Sequence, residues 1–278
     1  MSKIEVKNFS KYYGSFRAVN NISFSIEKGS IVGFVGKNGA GKSTTLRSIL
    51  NLIKPTSGTI TVDGLNSEKD NKAIKGFTSY MSSEVQYYDG LTCQDLFDLS
   101  SKIGRGDADE INKIAAFLEL DINKKLRQLS LGNKKKVAIL NALLKDASLY
   151  LLDEPTSGLD PVMQEKFFSL LIEKKNQGAT IFLSSHNLSE IEKYCDRVLF
   201  IKDGEIIEDI NMEENRTNRP KVVSYTTTDG NQADFLYSDD INALIKQLAT
   251  LDLKNLEIKE SSVEDEFIKY YKGEKWTH

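Results

Sequence analysis

The stretch GKNGAGKS at residues 36–43 follows the apolar run IVGFV at 31–35 and precedes a segment that favours a helix from about Gly41 to Leu52. A continuous apolar run of this kind is typical of a strand covered on both faces. The glycines leave backbone N–H groups free to converge on an anion, which larger side chains would obstruct. A helix that starts directly after the loop adds the partial positive charge of its N-terminus. We therefore predict a buried strand, an anion-binding loop and a helix in immediate succession.

The same eight residues fit the pattern G-x-x-x-x-G-K-[ST], in which the loop cradles the phosphates of a nucleoside triphosphate. Lys42 is expected to reach the β- and γ-phosphates, and the Ser43 hydroxyl to bind Mg²⁺. A glycine-rich turn that binds nothing is the alternative, which the context of strand, loop and helix disfavours. The predicted nucleotide-binding residues of the loop are Gly36, Asn38, Gly39, Ala40, Gly41, Lys42, Ser43 and Thr44.

Length and composition limit the possible classes of protein. The 278 residues suit one domain with an appendage, or two small domains. The net charge of −3 gives no indication of a nucleic-acid partner, and none is expected. Cys93 and Cys195 make neither a disulfide framework nor a metal site, and they suit a reducing cytosol. No segment approaches the roughly 18 apolar residues of a membrane span, so action at a membrane would need another chain to cross it.

The pattern along the chain predicts an α/β fold of the P-loop NTPase class. The stretches KIEVKNF and NISFSI near the N-terminus alternate like half-buried antiparallel strands, which indicates a small β subdomain. Strands and helices then alternate, which predicts a parallel core sheet wrapped by helices. A helical insert, expected at about residues 86–147, interrupts this alternation.

A polar stretch at residues 211–220, NMEENRTNRP, is interpreted as a linker. Two strand-like runs follow it, then a helix from about Asp240 to Thr250, a strand, and a short helix VEDEFIKYY, which together predict a small α+β appendage. We therefore divide the chain into a nucleotide-binding domain at residues 1–216 and an accessory C-terminal domain at residues 217–278.

A second stretch, LLDEP at residues 151–155, ends an apolar run with two carboxylates. At the end of a buried strand, Asp153 would hold Mg²⁺, usually through water. Glu154 could orient or deprotonate an attacking water. A helix N-cap followed by Pro155 is the alternative interpretation. The phosphate loop upstream favours the functional interpretation.

Three further stretches have ordinary structural explanations when each is taken alone. LSLGN at residues 129–133 opens a long helix, for which Ser130 would serve as N-cap. SGLD at residues 157–160 could be a simple turn. SSH at residues 184–186 ends a strand, and a lone histidine is more often structural than catalytic.

Taken in order, the phosphate loop, LSLGN, LLDEPT, SGLD and SSH resemble the ATP-binding subunit of ABC transporters. The resemblance implies that two such domains pair head to tail, with each ATP between one chain's phosphate loop and the other chain's signature, here LSLGN. Ser130 and the Gly132 N–H would then contact the γ-phosphate across the dimer, and Asp160 would contact the opposing site. His186 would hold the γ-phosphate and the attacking water. Tyr13 matches the aromatic that stacks on adenine, with a strand-edge aromatic as the alternative.

The resemblance covers about residues 3–209 and implies an ATPase that binds ATP and Mg²⁺, with Lys42, Glu154 and His186 as the catalytic residues. The implied partners are a second ATPase subunit, as a homodimer in preference to a heterodimer, and a separate transmembrane permease subunit. The chain would then sit peripherally on the cytoplasmic face of the cell membrane.

The tail SVEDEF at residues 262–267 resembles the ending of ATPases that serve bacterial exporters of drugs, antimicrobial peptides or lipids, which favours export. Import is an alternative, as is a non-transport ABC-type ATPase that acts on the ribosome or in regulation. A small-molecule kinase shares the phosphate loop, but it has no use for LSLGN, SGLD and His186.

Two signature positions depart from the family pattern. Leu131 stands where a glycine is usual, and Asn133 stands where a glutamine is usual. Ser130 and Gly132, the expected γ-phosphate contacts, are retained, which predicts a working but slower site. The basic run KKK at residues 134–136 is interpreted as a solvated helix face, and added positive potential near the nucleotide is the alternative.

A third departure precedes the helical insert. The family glutamine that senses Mg²⁺ and the γ-phosphate falls on Ser83, whose side chain is too short to reproduce it. Glu84 or Gln86 could substitute if the loop shifts, or a water could bridge the gap. We favour the water or Gln86, because a carboxylate at Glu84 would repel the γ-phosphate at short range.

Overall fold

The computed structural model describes residues 1–85, 87, 90–102, 106–217 and 219–262. The exporter-like tail after Ser262, the helix predicted within it, and Gln86 lie outside the described residues. None of the described helices is both long and apolar enough to cross a membrane.

The elements alternate along the chain much as the sequence pattern predicts. The strands are β1 (Ser2–Tyr13), β2 (Phe16–Glu27), β3 (Ile31–Val35), β4 (Ser57–Val62), β5 (Leu65–Asn66), β6 (Thr78–Met81), β7 (Leu149–Asp153), β8 (Thr180–Ser185), β9 (Arg197–Lys202), β10 (Glu205–Asn211), β11 (Lys221–Thr227), β12 (Gln232–Tyr237) and β13 (Leu253–Glu260). The helices are α1 (Lys42–Ile49), α2 (Asn71–Phe77), α3 (Cys93–Lys102), α4 (Ala108–Phe117), α5 (Leu131–Leu143), α6 (Pro161–Asn176), α7 (Leu188–Tyr194), α8 (Met212–Thr217) and α9 (Ile241–Leu248).

A six-stranded sheet forms the centre of the molecule, in the order β10-β9-β3-β8-β7-β6. The five strands from β9 to β6 run parallel, and β10 pairs antiparallel with β9 at the edge. Every residue of β3, β7 and β8 is buried, as expected for strands covered on both faces. The predicted parallel core is confirmed, with β10 as an antiparallel edge strand.

A four-stranded antiparallel sheet, in the order β2-β1-β4-β5, covers one face of the central sheet. Its inward side chains, such as Ile4 and Val6, share a buried cluster with Phe34 and Phe182 of the central sheet. The alternation of buried and exposed residues in β1 places one face of this sheet in the core.

The helical insert packs on the other side, where α3 and α4 both contact α5. Phe97, Ile111 and Leu140, one from each of these helices, lie in the same buried cluster as Phe167 of α6. The insert is therefore joined to the core sheet by continuous apolar packing. This packing fixes where the signature, at the start of α5, stands relative to the sheet.

The linker predicted at residues 211–220 is wrong over its first part. β10 continues to Asn211, and α8 follows directly at Met212. The Asn211 side chain accepts hydrogen bonds from the backbone N–H groups of Glu213 and Glu214, and Met212 is 1% exposed. The polar composition of this stretch gave no indication of α8, which packs on the core through the buried Met212.

The last described part of the chain is a separate three-stranded sheet, in the order β12-β11-β13, with α9 packed on it. Its small core is formed by Val223 of β11 with Leu244 and Leu248 of α9. Arg219 joins this unit to α7 through an ion pair of 2.6 Å with Glu192. The α+β character predicted for the appendage matches these elements.

A chain that ends at Thr217 should fold and bind nucleotide with the affinity of the full chain, because the phosphate loop and the central sheet lie before this point. Circular dichroism and calorimetric nucleotide titration measure both properties. The matched control ends at Asp209 and also removes Met212, whose burial contributes about 1.5–3 kcal/mol. Only this shorter chain should be destabilised. Loss of nucleotide binding by a folded 1–217 chain would contradict the proposed boundary.

Candidate nucleotide-binding site

The candidate site lies at one edge of the central sheet, where β3, β8 and β7 are parallel neighbours. Val35 pairs with Ser185, and Asp153 pairs with Ser184. Because parallel strands in register end at the same edge, the phosphate loop, the Asp153-Glu154 pair and His186 all leave the sheet together. Three motifs that are far apart in sequence therefore converge.

Two glycines let the phosphate loop pack directly against neighbouring backbone. A Cβ added at Gly36 would lie 2.3 Å from the Ile201 carbonyl oxygen. One added at Gly41, whose φ is +109°, would lie 2.6 Å from the carbonyl oxygen of Ala18. No other residue fits these positions without moving backbone, so the loop shape depends on glycine.

The Lys42 ammonium is folded back onto its own loop. Its Nζ donates to the carbonyl oxygen of Gly36 at 2.6 Å and to that of Lys37 at 3.3 Å, and the side chain is 6% exposed. Nζ also lies 3.3 Å from Glu154 Oε1, an ion pair that lacks hydrogen-bond geometry. The lysine is thus held at the mouth of the loop, next to the second motif.

Glu154 stands between Lys42 and His186. His186 Nδ1 lies 2.7 Å from Glu154 Oε2, while Lys42 faces Oε1. The Glu154 side chain is 14% exposed and that of His186 is 61% exposed. A cation, a carboxylate and an imidazole therefore form a row from the interior toward solvent, an arrangement that can hold anionic oxygens and a water.

The backbone of Glu154 is strained. Its φ of 48° lies in the left-handed region, which costs a non-glycine residue about 1–2 kcal/mol. Its N–H donates to Ser184 Oγ at 2.9 Å, which holds the residue in this conformation. The left-handed backbone directs the Glu154 side chain away from the line of β7 and toward Lys42 and His186.

Asp153 is the candidate metal ligand. Ser43 Oγ and Ser184 Oγ both donate to Asp153 Oδ1, at 2.9 and 2.7 Å. The other oxygen, Oδ2, is buried and has no hydrogen-bond partner. Among the described residues, only this atom and Glu154 Oε1 are buried side-chain polar atoms without a partner. A buried polar atom without a partner indicates a site for a water, an ion or another ligand. A carboxylate oxygen beside a serine hydroxyl offers the oxygen ligands that Mg²⁺ prefers.

The sequence interpretation missed a buried network behind the site. Thr156 Oγ1 donates to Glu190 Oε2 at 2.7 Å, and Asn187 Nδ2 donates to Glu190 Oε1 at 2.8 Å. Burial raises the pKa of Glu190, and these two hydrogen bonds oppose that rise. The network joins the segment after Glu154 to the segment after His186, so it fixes the spacing of the two. Nothing in the local sequence of α7 marks Glu190 as buried.

The signature and SGLD residues lie apart from this cluster. Ser130 caps α5 by accepting from the Asn133 N–H at 3.3 Å, and Asp160 caps α6 by accepting from the Met163 N–H at 3.0 Å. Among the described residues, neither has a hydrogen bond to the phosphate loop. A Cβ at Gly132 would lie 3.2 Å from the Gly158 carbonyl oxygen, so the two segments are neighbours.

Tyr13 ends β1 and is 48% exposed, with Lys11 Nζ 4.9 Å from its ring centroid. Phe16 faces it across the hairpin and is 61% exposed. Two neighbouring exposed rings suit stacking on a planar base. The sequence interpretation singled out Tyr13 and did not consider Phe16.

The lysine run at residues 134–136 is not a uniformly solvated face. Lys135 is 3% exposed, and its Nζ donates to the Ser83 carbonyl oxygen at 3.1 Å. The interpretation is wrong for this residue, because the pitch of α5 turns it inward between two partly exposed lysines. Glu84 is exposed, and Gln86 lies outside the described residues.

Comparison of the sequence with known proteins gives one family. The pattern of the ABC transporter family matches residues 19–157. The bacitracin transport ATP-binding protein BcrA of Bacillus licheniformis is 32% identical, over 97% of this chain and 97% of its own. The SkfA peptide export ATP-binding protein SkfE of Bacillus subtilis (strain 168) is 34% identical, over 80% of this chain and 96% of its own.

Solved structures share the fold. A dimeric ATP-binding cassette in a post-hydrolysis state, bound to ADP and Pi, is 26% identical, with a TM-score of 0.68 over 75% of this chain and 98% of its own. The sequence identity to BcrA extends over nearly the whole length of both chains. The chain therefore belongs to the ABC transporter family, as an ATP-binding subunit.

Proposed function

We propose that this chain hydrolyses ATP and thereby drives export through a separate membrane subunit. The observation that carries the proposal is the convergence of Lys42, Glu154 and His186 beside the Asp153–Ser43 pair. Each group alone has a structural explanation. Together they supply a phosphate cradle, a metal ligand set and a base at one sheet edge, which is what hydrolysis of a phosphoanhydride requires.

Each residue has a distinct chemical role in this proposal. Lys42 exchanges its contacts with loop carbonyls for the β- and γ-phosphate oxygens and stabilises the charge that spreads over them. Glu154 accepts a hydrogen bond from the attacking water and orients it, and His186 holds the γ-phosphate. Ser43 and Asp153 would hold Mg²⁺, which neutralises charge on the β- and γ-oxygens when it is bound.

The catalytic unit is proposed to be a head-to-tail homodimer. Ser130 and Asp160 cap exposed helix starts away from the chain's own phosphate loop, so they are available to a second copy. Leu131 and Val162 beside them are 71% and 60% exposed. Apolar side chains exposed at this face suit burial in an interface. The related cassette bound to ADP and Pi is itself dimeric.

Export of a peptide-type cargo is the proposed direction, and a location on the cytoplasmic face of the membrane follows from it. Two relatives support this, one named for bacitracin transport and one for peptide export. Cargo selection would lie in the membrane subunit. Purification of the native complex, followed by identification of the membrane partner and transport assays in vesicles, tests the proposal. Net movement of cargo toward the ATP-containing side would contradict it.

Lys42→Ala should reduce ATP hydrolysis about 100-fold or more, because the loop loses its fixed charge at the γ-phosphate. Phosphate release measures the effect. Lys37→Ala is the matched control, since Lys37 is an exposed lysine of the same loop, and it should retain most of the activity. Near-wild-type hydrolysis by Lys42→Ala would exclude this site.

Glu154→Gln should keep ATP affinity, lose turnover by about 100-fold or more, and accumulate an ATP-bound dimer. Sizing chromatography with and without ATP measures the dimer. Glu173→Gln, which changes an exposed carboxylate on α6, should behave as wild type. A Glu154→Gln protein that stays monomeric at saturating ATP, while the wild-type protein turns over, would contradict the sandwich arrangement.

Ser184→Ala should raise the Mg²⁺ concentration for half-maximal hydrolysis several-fold and lower the maximal rate. The change removes a hydrogen bond to the Asp153 carboxylate, worth about 1.5–3 kcal/mol, and the acceptor of the Glu154 N–H. Ser185→Ala is the control, because the Ser185 hydroxyl accepts from the Asn187 N–H instead. Equal Mg²⁺ dependence in the two variants would argue against a positioning role for Ser184.

A further inference from the structure

A buried lysine ammonium connects the loop after β6, here called the Ser83 loop, to α5, here called the signature helix because LSLGN lies at its start. Lys135 lies in the second turn of α5, where it is 3% exposed. Its Nζ donates to the carbonyl oxygen of Ser83 at 3.1 Å. Burying a lysine is unfavourable unless its charge is satisfied, so this contact is not an incidental surface interaction.

A second contact runs in the opposite direction. The Tyr87 hydroxyl donates to the carbonyl oxygen of Lys134 at 3.4 Å, and its ring packs against the apolar cluster of the helical insert. Burial raises the pKa of the Tyr87 phenol, so the group remains a neutral donor. A side chain of α5 thus holds the loop backbone, and a side chain of the loop holds the α5 backbone. We call this pair of contacts the clasp.

The charge of Lys135 interacts electrostatically with two carboxylates of the candidate site. Burial lowers the pKa of Lys135, and the carboxylates of Glu154 and Asp153 oppose that change. The same residue touches the loop and α5, whose first turn carries the signature.

We propose that Lys135 is a positioning residue that locks the Ser83 loop to the signature helix, so that the loop and the helical insert move as one unit. The inference deepens the proposed ATPase function and rests on it for its catalytic consequence. Ser83 is too short to act as the usual glutamine, and the link between site and insert passes instead through its backbone carbonyl. The loop is held by Lys135 whether or not any side chain reaches the metal.

Loss of the clasp should have separate structural and kinetic effects. Without the ammonium, the loop loses a hydrogen bond to a charged donor, and its backbone should open more often. The phosphate loop and Lys42 lie on other elements, so ATP affinity should remain. Assembly of signature, loop and carboxylates should be impaired, which lowers kcat and leaves KM for ATP nearly unchanged.

Lys135→Met tests the proposal, because methionine fills the buried site without a donor or a charge. Hydrogen exchange of the backbone amides around Ser83 in the nucleotide-free protein should accelerate about tenfold, with kcat lowered about tenfold and KM changed less than twofold. Lys136→Met is the matched control, since it removes the same charge from the same helix at a partly exposed position. It should leave all three values as in the wild-type protein.

Two further variants separate positioning from general stability. Lys135→Arg retains a cationic donor and should recover most of the protection and of kcat. Tyr87→Phe removes the longer contact and keeps the partly buried ring, so it should accelerate exchange less than Lys135→Met. Exchange at peptides of α6 serves as the folding control, and it should stay unchanged.

The outcomes distinguish this inference from the proposed function. Unchanged exchange around Ser83 in Lys135→Met, or an equal change in Lys136→Met, would overturn the clasp even if the protein hydrolyses ATP. Faster exchange with an unchanged kcat would overturn the catalytic consequence. A wild-type protein without ATPase activity would refute the proposed function, whereas the exchange measurement would still decide whether the clasp exists. If Lys135→Met does not fold, Tyr87→Phe carries the exchange test, and no acceleration there would overturn the proposal.

Discussion

Parallel pairing of β3, β8 and β7 places three chain segments at one sheet edge, and the rest of the site depends on this pairing. The register that aligns Asp153 with Ser184 lets one serine hydroxyl donate to the Asp153 carboxylate and accept from the Glu154 N–H. A shift of the register by one residue would turn Asp153 to the opposite face of the sheet. The observed register of these buried strands therefore sets the geometry of the site.

The candidate site holds opposite charges close together and leaves two carboxylate oxygens without a hydrogen-bond partner among the described residues. Asp153 Oδ2 and Glu154 Oε1 have no hydrogen-bond partner, although Lys42 lies 3.3 Å from the latter. Such groups cost free energy in the folded state, and the left-handed backbone of Glu154 adds strain. A cation at Asp153 Oδ2 and a water at Glu154 Oε1 would satisfy these two atoms. The burial of the sheet behind the site, in which every residue of β7 and β8 is buried, offsets this unfavourable free energy.

The helical insert is connected to the site by polar contacts as well as by apolar packing. Lys135 and Tyr87 link α5 to the Ser83 loop, and Thr156 and Glu190 link the two segments that carry Glu154 and His186. Lys135, Thr156 and Glu190 are buried and Tyr87 is partly buried. Buried polar groups are held in one geometry more firmly than exposed ones. The contacts of Lys135 and Tyr87 therefore join the insert to the segment that follows β6.

The sequence by itself determined the phosphate loop, the parallel core and the small C-terminal unit, because glycine spacing, continuous apolar runs and strand–helix alternation are local signals. It also marked Lys42, Asp153, Glu154 and His186 as candidates, since their motifs are short and contiguous. Only the tertiary structure revealed the burial of Lys135, the network around Glu190 and the helix that replaces the expected linker at Met212. These depend on which face of a helix meets the core. A run of three lysines or a polar decapeptide does not encode that face, because packing against residues distant in sequence decides it.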